Sequence, residues 1–163
     1  METVELKNLR VEYGKQLVAA GLKYSNLIAI DADLKESTQS IQFEEAFPDR
    51  FIESGIAEQN LIGIAAGLAR CNKIPVVHSF ASFISMKACE QIRTSVAFQN
   101  LNVKMVVSHA GVSAGSAGTT HHAIEDIAIL RSMPNMKVLV PGDATDVRNC
   151  VQEMMETDGP VYL

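Results

Sequence analysis

The segment that says most about this chain runs Phe51-Ile-Glu-Ser-Gly-Ile-Ala-Glu-Gln-Asn-Leu-Ile-Gly-Ile-Ala-Ala-Gly67. It places a single carboxylate, Glu58, at the start of an apolar helical pattern. The run from Ala57 to Ala69 is apolar nearly all round, which predicts a helix buried on every side. A buried carboxylate is unfavourable unless it is protonated or accepts hydrogen bonds. Glu58 therefore either serves the positive end of its own helix or has a partner elsewhere in the fold.

Two glycines on this helix favour the second alternative. Gly63 and Gly67 are spaced by four residues, so they lie on the same helical face. Small residues at this spacing let another backbone approach closely, a steric principle best known from membrane helices. We therefore expect the helix to pack at an interface through Gly63 and Gly67.

The rest of the chain alternates short apolar strands with helical patterns. The patterns predict strands at residues 27–31, 75–78, 103–108 and 136–140, and helices at 9–22, 57–69, 83–98, 122–132 and 144–156. Such alternation indicates βαβ units. We expect one α/β domain over residues 1–163, in three layers, with a mostly parallel sheet and helices on both faces. Because residues 157–163 read as a turn entering a strand, we also expect the chain to be part of a longer protein.

Composition excludes several classes of function. The formal net charge of −5 and the pI near 5.3 leave no basic surface for nucleic acid. No apolar run reaches the roughly 20 residues of a membrane span, and Met1–Leu6 does not resemble a signal peptide. The cysteines Cys71, Cys89 and Cys150 are odd in number and widely spaced, which predicts free thiols and no zinc site. A cytoplasmic protein is expected.

A long loop after the third predicted strand is the richest in functional groups. Residues 108–126 contain three of the four histidines, His109, His121 and His122, among many glycines and serines. Ligands of parallel sheets bind beyond the carboxyl ends of strands, and long loops are often functional. Thr119 or Thr120 could instead cap the next helix. A cap does not explain the three histidines, so we favour a ligand site.

Two other segments follow predicted strands. Ser79-Phe-Ala-Ser-Phe83 carries two phenylalanines three residues apart, Phe80 and Phe83, which could stack on a planar ligand or pack in the core. Asp31-Ala-Asp33 could contribute to a metal site, but it lacks further ligands and is better suited to capping the helix that follows. We predict no metal ligand in this chain.

The pattern Glu-x-x-x-x-Gly-Ile-x-x-Gly from Glu58 to Gly67 resembles the pyrimidine-binding domain of thiamine diphosphate enzymes. The wider chain resembles transketolases, specifically the C-terminal section of split transketolases. The motifs that carry this resemblance occur in the family's order: Asp31–Leu34, Glu53–Asn60, Ser79–Phe83, Ser108-His109, Thr120–Glu125 and Arg131–Asn135.

The resemblance implies roles for the residues near the cofactor. Glu58 is expected to hydrogen-bond the ring nitrogen of the cofactor's aminopyrimidine, opposite the amino group. Proton exchange there favours the imino tautomer, which takes the proton from the thiazolium carbon, and the cofactor serves as electron sink. Phe80 and Phe83 are expected to pack on the pyrimidine, with Met86 one turn on, where many transketolases have a tyrosine.

The same resemblance assigns the histidines to the substrate. His109 and His121 are expected to face its hydroxyls and carbonyl as hydrogen-bond donors or proton-transfer groups, with His122 beside them. Two positions depart from many full-length transketolases. Ala117 replaces an aspartate, and Val140 replaces an arginine that holds the sugar phosphate through a charge-assisted contact.

The resemblance also predicts an incomplete active site. The family holds Mg²⁺ and the diphosphate through a Gly-Asp-Gly…Asn motif, but the only Gly-Asp here, Gly142-Asp143, is followed by Ala144. We therefore expect a partner, a diphosphate-binding N-terminal-section subunit that binds the Mg²⁺. We also expect a homodimer through the helix of Gly63 and Gly67, and an inactive isolated chain.

The expected function is transfer of a two-carbon ketol unit between sugar phosphates, once the partner is present. Two enzymatic alternatives share this domain: the β chain of a 2-oxo-acid dehydrogenase and a deoxyxylulose-phosphate synthase-like enzyme. The Thr-His-His loop and Ser108-His109 favour carbohydrate chemistry. A non-catalytic assembly module is an alternative of another class, although such a module has no use for Glu58.

Overall fold

The computed structural model describes residues 8–163, so the expectation about Met1–Leu6 lies outside the described residues. Its helices are α1 (Leu9–Lys23), α2 (Lys35–Thr38), α3 (Ile41–Ala46), α4 (Glu58–Arg70), α5 (Cys89–Gln91), α6 (Asp126–Arg131) and α7 (Ala144–Glu156). Its strands are β1 (Leu27–Asp31), β2 (Phe51–Glu53), β3 (Ile74–Phe80), β4 (Lys104–Ser108), β5 (Lys137–Val138) and β6 (Val161–Tyr162). Within residues 8–163, no helix is long and apolar enough to cross a membrane.

The strands form one sheet in the order β2-β1-β3-β4-β6-β5, and every neighbouring pair is parallel. The expected parallel α/β sheet is confirmed. The strand predicted near residue 161 lies inside the sheet, between β4 and β5. Backbone bonds hold its end there: Leu163 N–H donates to Met105 O at 2.9 Å, and Val107 N–H donates to Leu163 O at 2.9 Å.

Two hydrophobic cores cover the two faces of the sheet. One core packs residues of α4, residues 84–97 and α6 on one face: Leu61, Ile62, Ala65, Ile84, Ile92, Val96 and Leu130. The other packs α1, α3 and α7 on the opposite face: Tyr13, Leu17, Phe43, Val147, Val151 and Met154. Successive side chains of a strand point to opposite faces of the sheet, so the neighbours Val76 and Val77 belong to different cores. The three-layer prediction is therefore confirmed.

The helix expected over residues 83–98 is present but wider than an α-helix. Phe83–Lys87 and Ile92–Ala97 are π-helical and flank the short α5. Bonds that span five residues mark these turns, as Ala88 N–H donates to Phe83 O at 3.3 Å and Phe98 N–H to Arg93 O at 2.9 Å. Such turns are frequent at functional sites.

Several predicted boundaries were wrong. Strand β3 extends through Ser79 and Phe80, which were expected to follow it. The helix expected at 122–132 is shorter than predicted, since α6 covers only Asp126–Arg131. The strand expected at 136–140 is also shorter, since β5 covers only Lys137–Val138. The helix expected after Asp33 is the short α2. Elements α3 and β2 were not predicted, because residues 41–53 mix polar and apolar side chains without a clear period.

Helix α4 is packed on one face by the rest of the chain, and the burial expected on its other face, through a partner, stays a prediction. Leu61, Ile62 and Ala65 are fully buried. Gly63 and Gly67 are exposed, and a Cβ added at either position would meet no atom within 4 Å. The glycine face of the helix is therefore open in the described part of the chain.

Candidate active site

Glu58 is the first residue of α4, and its side chain is 2% exposed. Its carboxylate has a partner that the sequence did not indicate, because Lys87 Nζ lies 2.5 Å from Glu58 Oε2. Lys87 ends the π-helical segment Phe83–Lys87, and its ammonium also lies 5.1 Å from the centroid of the Phe83 ring. The charge of Glu58 is thus buried at a helix start and compensated by one cation from the neighbouring segment.

Four of the predicted site residues come together as an aromatic cluster. Phe80 and Phe83 are stacked, with ring centroids 5.7 Å apart and an interplanar angle of 24°. The His109 ring lies 4.2 Å from Phe80, and the His121 ring lies 5.2 Å from Phe83 in an edge arrangement. The end of β3, the first π-helical turn and the loop after β4 therefore meet at the carboxyl edge of the sheet.

His109 occupies a special position directly after β4. Its backbone is left-handed, with φ at +59°, and Ser108 Oγ lies 2.8 Å from its Nδ1. Burial lowers the pKa of His109, and the charges of Arg10 and His121 lower it further. The imidazole is therefore neutral at pH 7, with one nitrogen that donates and one that accepts.

Arg10 is a second site residue that the sequence did not indicate. It lies in the first turn of α1, and its guanidinium donates to Ser37 O at 2.9 Å. Together with His109 and Val140 it lines a mainly apolar cavity of about 460 Å³. This cavity reaches the aromatic cluster through His109 but does not include Glu58. A lone arginine at a helix start gives no sequence signal, so only the fold reveals its neighbours.

The remaining predicted residues lie less centrally. His121 ends a 3₁₀ turn, Thr119–His121, and Thr120 Oγ1 lies 3.0 Å from its Nδ1. Helix α6 begins only at Asp126, so the alternative in which a threonine caps it was wrong. His122 is outside the aromatic contacts, and its Nε2 is buried without a hydrogen-bond partner among the described residues. Met86 is 44% exposed.

Asp31 is fully buried at the end of β1. Its carboxylate accepts hydrogen bonds from Leu34 N–H at 2.6 Å, Thr38 Oγ1 at 3.0 Å and Ser40 Oγ at 2.7 Å. These hydrogen bonds stabilise the segment that follows β1. The N-cap of α2 is Leu34, so the expectation that Asp31 or Asp33 caps this helix was wrong. Across residues 8–163 no three or more His, Cys, Asp or Glu side chains are grouped as a metal site.

The fourth histidine, His78, belongs to a buried network beside Asp31. His78 Nδ1 donates to Ile30 O at 3.1 Å, so Nε2 accepts from the Tyr13 hydroxyl at 2.7 Å. Burial lowers the pKa of His78, against the opposing charge of Asp31, and burial also raises the pKa of Tyr13. Both groups are therefore neutral at pH 7 and act as packing and hydrogen-bonding groups.

The fold and the aromatic cluster define a transketolase-type domain. A solved split-gene transketolase, described as an inactive beta4 tetramer, is similar in structure with a TM-score of 0.84 and 47% sequence identity. The likeness covers 94% of this chain and 49% of that chain.

The chain belongs to the transketolase pyrimidine-binding domain family, which matches residues 7–163. A 6-deoxy-6-sulfo-D-fructose transketolase subunit from Clostridium sp. (strain MSTE9) is 42% identical, over 95% of this chain and 48% of the relative. A 1-deoxy-D-xylulose-5-phosphate synthase from Desulfotalea psychrophila is 39% identical, over 93% of this chain and 23% of the relative. The chain spans about half the length of the split transketolase relatives it matches.

Proposed function

We propose that this chain is the pyrimidine-binding half of a thiamine diphosphate-dependent transketolase, which transfers a two-carbon ketol unit between sugar phosphates. The observation that carries the proposal is the buried carboxylate of Glu58 at the start of α4, which is linked through Lys87 to the Phe83 ring of the stacked Phe80–Phe83 pair. A domain that served assembly alone would gain nothing from burying this charge.

The residues of the site fit an aminopyrimidine. A planar ring with a basic nitrogen needs an apolar stacking surface and an anionic hydrogen-bond partner, and Phe80, Phe83 and Glu58 provide these. Ser79 and Ser82, which flank Phe80 in the sequence, have buried hydroxyl oxygens without a hydrogen-bond partner among the described residues. Such orphaned groups are expected where a polar ligand belongs.

The bound cofactor supplies an electron sink for cleavage and formation of the ketose carbon–carbon bond. Glu58 holds a proton between its carboxylate and the pyrimidine ring nitrogen. His109 and His121 hydrogen-bond the hydroxyl and carbonyl oxygens of the sugar, with His122 behind them. Because His109 is neutral at pH 7, it can donate a hydrogen bond to the substrate with one ring nitrogen and accept a proton with the other.

Arg10 is the cation that we propose for the substrate phosphate. Val140 occupies the position where the family resemblance expects an arginine, and its side chain is 65% exposed. Arg10 lines the same cavity as Val140 and His109, and its positive charge contributes to the lowered pKa of His109. A guanidinium in this place could bind a phosphate in bidentate fashion.

A partner subunit completes the site in this proposal. It binds the diphosphate and Mg²⁺, while the open face of α4 at Gly63 and Gly67 contacts a second copy of this chain. Residues 1–163 then form one domain of a longer cytoplasmic protein, whose free thiols suit a reducing compartment. The similar split-gene transketolase is an inactive tetramer of one chain type, which supports the expectation that this chain alone is inactive.

Calorimetric titration tests the half-site directly. Thiamine diphosphate with Mg²⁺ is titrated into the protein alone, and then into the protein mixed with candidate diphosphate-binding subunits. We expect binding only in the mixture. Tight binding to this protein alone would mean that this chain itself holds the diphosphate site, and it would refute the split architecture.

Two related activities remain alternatives. The similarity to a deoxyxylulose-phosphate synthase favours testing pyruvate as a donor, and the same assay covers a 2-oxo-acid dehydrogenase β chain. With the partner added, cleavage of ketose phosphates is compared with consumption of pyruvate. Activity on pyruvate alone would exclude the transketolase assignment.

A further inference from the structure

The side chain that faces Glu58 belongs to Lys87, a residue that no sequence motif singled out. Glu58 is 2% exposed, whereas the Lys87 side chain is 52% exposed, and the two are joined at 2.5 Å. The flexible, half-exposed ammonium of Lys87 therefore pairs with the buried carboxylate of Glu58. This contact lies where the proposed function places the pyrimidine ring nitrogen.

We infer that Lys87 is a latch, a cation whose ion pair with Glu58 the cofactor must displace, an inference that rests on the proposed function. With Lys87 in place almost no surface of the carboxylate is open, so a ligand reaches Glu58 only if the ammonium moves. The ion pair and the hydrogen bond from the pyrimidine then exclude each other. Cofactor binding is weakened by the free energy of the ion pair that it breaks.

The geometry lets the latch open without moving the backbone. Lys87 is attached to Glu58 only through its terminal ammonium, at the end of a long stem with four rotatable bonds. Because half of the side chain already lies in solvent, rotation of the stem exchanges the ion pair for hydration. Glu58, in contrast, is fixed at the start of α4 and keeps its position in either state.

The substitution Lys87→Met tests this inference, because it removes the ammonium and keeps most of the stem. Thiamine diphosphate, at saturating Mg²⁺, is titrated into the protein reconstituted with its diphosphate-binding subunit. We expect binding about threefold to fivefold tighter than in the wild type, the effect of removing one partly exposed ion pair. We also expect the melting temperature of the protein without cofactor to fall by about 2–4 °C, because Glu58 loses its counter-charge.

Two further variants isolate the latch from other effects of charge. Lys87→Arg keeps an ion pair with Glu58, so its affinity should stay near that of the wild type. Lys137→Met removes an exposed ion pair with Glu153, at 3.1 Å on another part of the surface, and should leave the affinity unchanged.

The outcomes separate the latch from the proposed function. Unchanged or weaker cofactor binding in Lys87→Met overturns the latch and leaves the proposed function standing. Equal tightening in Lys137→Met also overturns it, because the effect would then be one of overall charge. If the wild-type complex binds no thiamine diphosphate, the proposed function fails, and the latch fails with it.

Discussion

Asp31 and Glu58 are both buried carboxylates, 0% and 2% exposed, but their surroundings differ. Asp31 accepts hydrogen bonds from a backbone N–H and two hydroxyls of residues 34–40, all supplied by its own segment. Glu58 is paired with the half-exposed Lys87, which belongs to a different segment. A carboxylate with fixed partners stabilises a fold, whereas one with a movable partner can exchange that partner for a ligand. The number and mobility of the partners distinguish the two carboxylates, although both are almost completely buried.

The largest expected effect comes from Glu58→Gln, which keeps the shape of the side chain and removes its charge. We expect turnover of the reconstituted complex to fall at least ~100-fold, because a group that exchanges a proton with the cofactor is lost. The free energy of unfolding should change by less than about 1 kcal/mol, since Lys87 can turn to solvent. Steady-state kinetics and urea unfolding measure the two quantities. Glu45→Gln, at an exposed position, is the control, and unchanged turnover in Glu58→Gln would refute the assigned role.

The corresponding change at the other carboxylate, Asp31→Asn, should have the opposite profile. We expect the free energy of unfolding to fall by about 2–3 kcal/mol, because charge-assisted hydrogen bonds are weakened where no water can replace them. Urea unfolding of Asp31→Asn is compared with that of Asp33→Asn, whose side chain is exposed and should alter stability by less than about 0.5 kcal/mol. A stability loss at Glu58 as large as that at Asp31 would break the distinction between the two carboxylates.

The sequence indicated Glu58 more specifically than Asp31. Glu58 is conspicuous because a charge stands alone in an apolar helix. The cluster of Phe80, Phe83, His109 and His121 forms because these residues lie at the carboxyl ends of β3 and β4 or in the segments that follow them. The role assigned to Asp31 was less specific, since the chain folds back and brings Thr38 and Ser40 to its carboxylate without any periodic pattern.

Long-range partners are the part of the site that sequence patterns could not supply. Lys87 is separated from Glu58 by 29 positions, and lysine is usually a solvated residue. Arg10 reaches the neighbourhood of His109 only because α1 packs beside the end of β4. The α/β class follows from local alternation, whereas the strand order, with β6 between β4 and β5, depends on contacts across the whole chain.

Lys104 extends the comparison to a buried cation with fixed partners. Its ammonium donates to Thr157 O at 2.6 Å and Gly159 O at 2.9 Å. Burial lowers the pKa of Lys104 to about 8, with Asp158 opposing and Lys137 reinforcing the shift.

The unfolded chain therefore binds more protons than the folded chain between pH 8 and about 10.5, so stability contributed through Lys104 rises with pH in this range. Relative to Lys104→Met, the wild type should gain about 1 kcal/mol in the free energy of unfolding between pH 7 and pH 9. Urea unfolding at both pH values measures the gain. A difference between the two proteins that does not change with pH would mean that Lys104 keeps its proton in the fold.

The smallest expected effect, that of Ser40→Ala, tests whether the partners of Asp31 act one by one. The variant removes one of three hydrogen bonds and leaves those from Leu34 and Thr38, so we expect a loss of about 0.5–1 kcal/mol. Ser25→Ala, at an exposed position, is the matched control. In the background of Asp31→Asn the same substitution should cost clearly less, because the charge that strengthened the bond is already gone. Additive losses in this double-mutant cycle, measured by urea unfolding, would show that Ser40 acts independently of Asp31, and the contrast with Glu58 would then rest on Leu34 and Thr38 alone.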